Sequence, residues 1–342
     1  MQDGVTALAA LAILLAAAVF SAVLIVALGP WLAHYAVAKP NARSSHKLPT
    51  PQGGGIAVIS ATLVVSGGVL LVFGQAAANP GPLVVIFAAV LLIAGVGVMA
   101  DKRPIAPAPR LALQTIAVAA VLTTLPLELR LLPILPWWSE RVLLLVGLLW
   151  FVNLVNFMDG IDWLTVAEVV PIAAAIAVIG LFDTLPPAAI VVSLALCGAT
   201  TGFAFFNRPV AMLFLGDVGS LPIGLLLGWL LVVLAGNGGR AAAILLPLYY
   251  LADSTITLVR RTANHEPVWQ AHRSHFYQRA TDRGFTVLEI VARVFVVNLA
   301  LAALALATIL LRSRAIDFAA VGVGAALVAL LLVVFARGPR RG

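Results

Sequence analysis

Val142-Leu-Leu-Leu-Val-Gly-Leu-Leu-Trp-Phe-Val152 runs directly into Asn153-Leu-Val-Asn156-Phe-Met-Asp159-Gly160-Ile-Asp162. An apolar segment thus delivers two amides and two carboxylates at its end, in a chain that otherwise carries little charge. In one straight helix these four residues, three apart, would step by about 60° each and would not share a face. Gly160 weakens helix at this point. The stretch therefore reads as a helix carrying Asn153 and Asn156 on adjoining positions, opening into a turn that presents Asp159 and Asp162.

Of the 342 residues, 62% are hydrophobic and 10% charged, with mean hydropathy +1.09. Soluble domains have roughly 45–50% apolar and about 25% charged residues. The chain is accordingly read as an all-α polytopic integral membrane protein, a single membrane-embedded domain over 1–342. A bilayer core takes about 20 mostly apolar residues per helix. That length places eleven spans, with ten as the lower count, near 5–33, 53–74, 81–99, 110–127, 141–157, 165–182, 187–206, 219–236, 240–258, 288–311 and 316–336. Pro126, Pro171 and Pro247 make the fourth, sixth and ninth the least secure. Asp3 and the lack of Lys or Arg before the first apolar run argue for a retained span over a signal peptide.

Sorting the loops by charge puts fifteen Lys and Arg residues on one side and five on the other. Cationic loops stay in the cytoplasm, so the C-terminus and the acidic loops are expected there. The formal charge of +7 is spread over short loops and forms no groove for nucleic acid. Cys197 is the only cysteine, so no internal disulfide can form.

Four loops on the basic side carry the candidate chemistry. Arg43-Ser-Ser-His46 leads to Gly53-Gly54-Gly55, whose N–H groups suit either a phosphate or a tight turn with close helix packing. Asp101 follows the third span, beside Lys102 and Arg103; alone it reads as a cytosolic flank, or as a metal ligand or electrostatic orienter. Asn207 and Gly216-Asp217-Val218-Gly219-Ser220 form a turn where a carboxylate is open to an ion and the next helix start is open to an anion; the plainer alternative is a helix cap. The longest loop holds His272, Arg273, His275 and Arg279, an anion cradle or a lipid-facing basic stretch. Zinc is disfavoured, with no cysteine or HEXXH nearby. Together the Asp residues, Gly turns and Arg/His donors suit a divalent ion and a diphosphate at a membrane surface.

In order from Arg43 to Arg283, this set resembles the polyprenyl-phosphate N-acetylhexosamine-1-phosphate transferase family. The resemblance rests on His46 to Gly55, Asp101, Asn153 to Asp162, Asn207 with Gly216 to Ser220, Asp253 with Arg260, and His272-Arg273-Ser274-His275 with Tyr277-Gln278. Ala100 stands where the family usually has the first Asp of a pair, and Trp163 where a Gly commonly follows. The histidine loop looks more like the O-antigen-initiating branch than the peptidoglycan one.

The resemblance implies an enzyme of the bacterial inner membrane that transfers a HexNAc-1-phosphate from a UDP-amino sugar to polyprenyl phosphate, releasing UMP, with Mg²⁺ or Mn²⁺ and room for a homodimer. It implies Asp217 as best metal ligand, with Asp159 as a second. Asp101, Asp159 and Asp162 are the implied catalytic carboxylates. His46, Asn153, Asn156, Asn207, Asp253, His272, Arg273, His275 and Arg279 are the implied substrate contacts. Two other readings compete: a retired family member acting as a scaffold, suggested by Ala100 and Trp163, and an ion-coupled transporter, for which intramembrane carboxylates are expected.

Overall fold

The computed structural model describes residues 6–35, 37–38, 49–73, 80–103, 105–182, 185–266 and 273–339. The helices are α1 (Ala7–Tyr35), α2 (Gly54–Phe73), α3 (Gly81–Lys102), α4 (Pro107–Thr123), α5 (Trp137–Met158), α6 (Leu164–Phe182) and α7 (Pro187–Ala204). They continue with α8 (Asp217–Gly236), α9 (Arg240–Leu245), α10 (Leu248–Ala263), α11 (Phe276–Asp282), α12 (Val287–Leu311) and α13 (Arg314–Arg337). A two-residue antiparallel ladder, β1 (Val37–Ala38) with β2 (Thr50–Pro51), lies between α1 and α2.

Among the described residues, nine helices are long and apolar enough to cross a membrane, against the eleven expected. Two runs account for the difference. The fourth is a 17-residue helix, α4. The ninth is broken into α9 and α10 at Leu246-Pro247, because proline has no N–H to donate and its ring collides with the carbonyl four residues back. Pro171, by contrast, sits inside a continuous α6.

The bundle is organised about α8. Every residue from Val218 to Ala235 is buried, as an all-round apolar helix requires. It packs against α2, α3, α5 and α9, while α1 lies outside on α7 and α2. Outward residues such as Leu8 and Phe318 are each 79% exposed and form the lipid-facing surface.

Lipid supplies no hydrophobic drive between helices, so membrane helices approach through small residues. Gly55 and Gly219 bring the backbones of α2 and α8 together, and a Cβ on Gly55 would lie 2.2 Å from the Gly219 Cα. Gly97 does the same for α3 against the start of α8. The N–H groups of Gly54 and Gly55 donate to the carbonyls of Phe214 and Leu215. Of the two readings of the glycine run, close helix packing is therefore the one realised, and these donors are spent on the loop before α8.

The C-terminal end of α13 lies on the same face as α11, with Arg283 Nη1 donating to the Phe335 carbonyl at 3.3 Å. Gly55→Val would force a branched side chain into a backbone contact. It is expected to destabilise the fold by about 1–3 kcal/mol or more, read as a lower thermal midpoint in detergent; an unchanged midpoint would mean that α2 and α8 can separate freely.

Candidate active site

α5 ends at Met158, and the chain turns through Asp159 to Asp162 before α6 begins. This turn sits under α11: the Tyr277 hydroxyl donates to the Phe157 carbonyl at 3.1 Å, and a Cβ on Gly160 would lie 2.0 Å from that hydroxyl. Gly160 is thus required by close approach as well as by the helix end. Asp159 Oδ1 accepts from the Thr165 hydroxyl at 2.5 Å. Asp162 Oδ2 accepts from the Ala211 N–H at 3.0 Å, joining the turn to the 205–216 loop.

Trp163 adopts φ 62°, a left-handed conformation that normally favours glycine. Its N–H donates to Asn207 Oδ1 at 2.8 Å and its indole N–H to the Ala204 carbonyl at 2.6 Å. Asn207 Nδ2 in turn donates to the Leu213 carbonyl at 2.9 Å. The large side chain therefore keeps the backbone path a glycine would take, and anchors it to the end of α7.

α8 starts at Asp217, where a helix leaves N–H groups free. These are not open to a ligand, as the sequence suggested. The N–H groups of Asp217 and Val218 donate to the Asp101 carboxylate at 2.8 and 3.2 Å, and Gln52 Nε2 adds a third donor at 3.4 Å.

The Asp217 side chain belongs to a triangle. Its Oδ2 lies 3.0 Å from Arg110 Nη1, its Oδ1 accepts from Asn156 Nδ2 at 2.8 Å, and Asn156 Oδ1 accepts from Arg110 Nη2 at 2.8 Å. Asn156 also reaches the Ser220 hydroxyl at 2.8 Å.

Asp101, Asp159, Asp162 and Asp217 line a single cavity of about 260 Å³, together with Gln52, Asn156, Asn207 and Gln278. Burial is the main reason that the Asp159 carboxyl is lifted from the ordinary aspartate range to about 7. The charges of Asp217, Asp101 and Asp162 raise it further, while the Thr165 hydrogen bond works against the shift. Among the described residues, no three His, Cys, Asp or Glu side chains converge tightly enough to hold a metal alone. The all-oxygen donor set nevertheless fits Mg²⁺, which is usually held by one or two carboxylates plus water and substrate phosphate.

Several expected contacts lie elsewhere. Asn153 Nδ2 donates to Gln114 Oε1 and the Leu149 carbonyl, both at 2.8 Å, and ties α5 to α4. Asp253 is fully buried; it accepts from the N–H groups of Phe276 and Tyr277 at 3.0 and 3.2 Å and pairs with His275 Nδ1 at 3.2 Å. Asp253 and His275 therefore build the start of α11, outside the cavity lining. Arg273 bonds Thr281 and Asp282, and Arg279 sits half-buried on α11 outside the cavity lining. His46 and His272 lie outside the described residues.

Four residues were not singled out from sequence. Arg110 is one of the fifteen cationic residues on the basic side, and Gln52 and Gln278 stand inside motifs without a role of their own. Thr165 was hidden in an apolar span.

The family described as glycosyl transferase family 4 matches residues 83–235, which hold all four cavity carboxylates and Arg110. A decaprenyl-phosphate N-acetylglucosaminephosphotransferase of Mycobacterium tuberculosis is 30% identical over 331 residues, covering 86% of this chain and 80% of its own. The protein of the same description from Mycolicibacterium smegmatis is 32% identical over 286 residues, covering 73% and 69%. A probable undecaprenyl-phosphate N-acetylglucosaminyl 1-phosphate transferase of Bacillus subtilis is 26% identical over 264 residues, covering 71% and 69%.

Between the ordinary aspartate range and about pH 7, folded Asp159 holds a proton that the unfolded chain releases. Its contribution to stability therefore falls as pH rises through that window and stays low above it. Asp159→Asn removes the charge and keeps an acceptor for Thr165. In chelator it is expected to melt about a few degrees above wild type at pH 8, the gap widening from pH 5 to 7 and narrowing when Mg²⁺ is added. Equal midpoints at pH 8 would show that Asp159 carries no burial penalty.

Proposed function

This chain belongs to the polyprenyl-phosphate N-acetylhexosamine-1-phosphate transferases of glycosyl transferase family 4, and we propose that its donor is a UDP-linked N-acetylhexosamine. It is a membrane enzyme that transfers a sugar-1-phosphate to polyprenyl phosphate. An oxygen of the lipid phosphate attacks the sugar-bearing phosphorus of the donor, forming the new diphosphate bond, and the bond to the departing UMP breaks.

The observation that supports this reading is four carboxylates around a single cavity at the helix ends, one of them paired with an arginine. A diphosphate with its divalent cation is complementary to that set. Asp217 and Asp159 would hold Mg²⁺ or Mn²⁺, which neutralises diphosphate charge and polarises the phosphorus under attack. Asn156 orients the Asp217 carboxylate. Arg110, 3.0 Å from that carboxylate, brings a cation to its side. Asp162 secures the 205–216 loop, and Asn207, Gln52 and Gln278 offer polar edges to nucleotide or sugar.

Asp101 is assigned to holding the start of α8, since its carboxylate already meets two backbone donors. A phosphate monoester has a second pKa of about 6 and is mostly dianionic near neutrality. It needs no strong base, which fits Ala100 in place of a second carboxylate.

The acids gather at the ends of α3, α5 and α8, whereas coupled transporters bind near the bilayer midplane. The Asp159–Asp162 turn is intact around Trp163, which removes the main motive for a retired scaffold. The proposed orientation, supported by the excess of Lys and Arg on this side, has this face and the C-terminus in the cytoplasm, with the protein in a bacterial inner membrane. The product would enter cell-envelope polysaccharide synthesis, with the O-antigen-type route supported by the His272 to His275 loop.

Purified protein incubated with undecaprenyl phosphate, Mg²⁺ and a panel of UDP-sugars is expected to release UMP in step with a lipid-linked sugar for at least one UDP-HexNAc. No product with any donor would overturn the reading. Asp217→Asn is expected to lower turnover by at least about 100-fold while the protein stays folded; wild-type rates would remove Asp217 from the reacting centre.

A further inference from the structure

Thr165, Glu168, Tyr250 and Asn298 are polar side chains no more than 3% exposed inside the bundle, and none lines the cavity. Polar groups at such depth are costly in a membrane and ask for a reason. Part of the reason is the break at Pro247. It leaves the first N–H groups of α10 without helical partners, and the Glu168 carboxyl lies beside the Tyr250 N–H in that first turn. Glu168 Oε2 accepts from Asn298 Nδ2 at 2.6 Å, and the same amide reaches the Ala167 carbonyl at 2.9 Å. Two helices, α6 and α12, are pinned at one point, with the start of α10 beside them.

Their bond to each other accounts for Glu168 and Asn298 but not for the other two. The Tyr250 hydroxyl donates to Thr165 Oγ1 at 3.5 Å, and the Thr165 hydroxyl donates to Asp159 Oδ1 at 2.5 Å. A chain of contacts therefore runs from the membrane interior to a carboxylate of the cavity.

We propose that Thr165 is a positioning residue for Asp159, held from behind by Tyr250, with the Glu168–Asn298 pair packed beside the start of α10. Thr165 sets which way the Asp159 carboxylate faces, and Tyr250 restricts the Thr165 rotamer. The consequence for turnover rests on the transferase reading above; the mechanical coupling does not.

Two measurements test this. In the transferase assay, Thr165→Val is expected to lower kcat about 3- to 30-fold with KM for both substrates within about 2-fold, and Thr165→Ser to restore it. Tyr250→Phe, which removes one oxygen and is the milder change, should shift kcat in the same direction. Wild-type kcat in Thr165→Val and Tyr250→Phe, with only a lower thermal midpoint, would reduce the network to packing and overturn the proposal.

The second measurement needs no activity. Thermal unfolding of Tyr250→Phe, Asp159→Asn and the double variant should be non-additive, and the non-additivity should vanish in a Thr165→Val background. Additive shifts would overturn the coupling. Failure of the wild type to turn over any donor overturns the transferase reading alone, and the unfolding cycle then decides this one.

Discussion

The first turn of α8 is held by a carboxylate from another helix. Asp101, at the end of α3, accepts the N–H groups of Asp217 and Val218. A negative charge at a helix N-terminus meets both unsatisfied donors and the positive end of the helix dipole. The contact is possible only because Gly97 and the Gly55–Gly219 pair let three backbones approach without side chains between them. Since α8 is buried along its length, its start is also the floor of the cavity. Loosening this contact would move Asp217, and with it Asn156 and Arg110.

Above that floor the protein concentrates acids against their own repulsion. Asp217 is offset by Arg110, Asp162 is tied to a backbone N–H, and Asp159 is left half-buried with a hydroxyl as its near partner. Burial and neighbouring charge push its carboxyl up to about 7. Perturbed groups of this kind gather where chemistry needs them. This charge pattern is what the proposed diphosphate and its cation would offset, and the proposed polar chain behind Asp159 would keep the carboxylate from turning away.

The two departures from the family pattern are absorbed in different ways. Ala100 leaves one carboxylate where a pair is usual, and that carboxylate is spent on α8. Trp163 takes a left-handed backbone, which a glycine adopts without strain, and its indole bond to Ala204 helps to hold it there.

Sequence alone determined the membrane class, the helix ends that carry chemistry and the residues of the central turn, because these depend on local apolar length, charge sorting and the helix-weakening effect of Gly160. Asp159, Asp162, Asp217, Asn156 and Asn207 were legible for the same reason: each sits in a short polar stretch that an apolar chain must justify. Tertiary structure decided which polar residues meet. Asn153 and Asp253 carry the same groups as Asn156 and Asp217, yet they brace α4 and α11. Arg110 and Thr165, unremarked in their own segments, touch the cavity acids. Spacing along one helix fixes direction only within that helix, while the partner of a buried polar group is set by which other helix end is packed beside it.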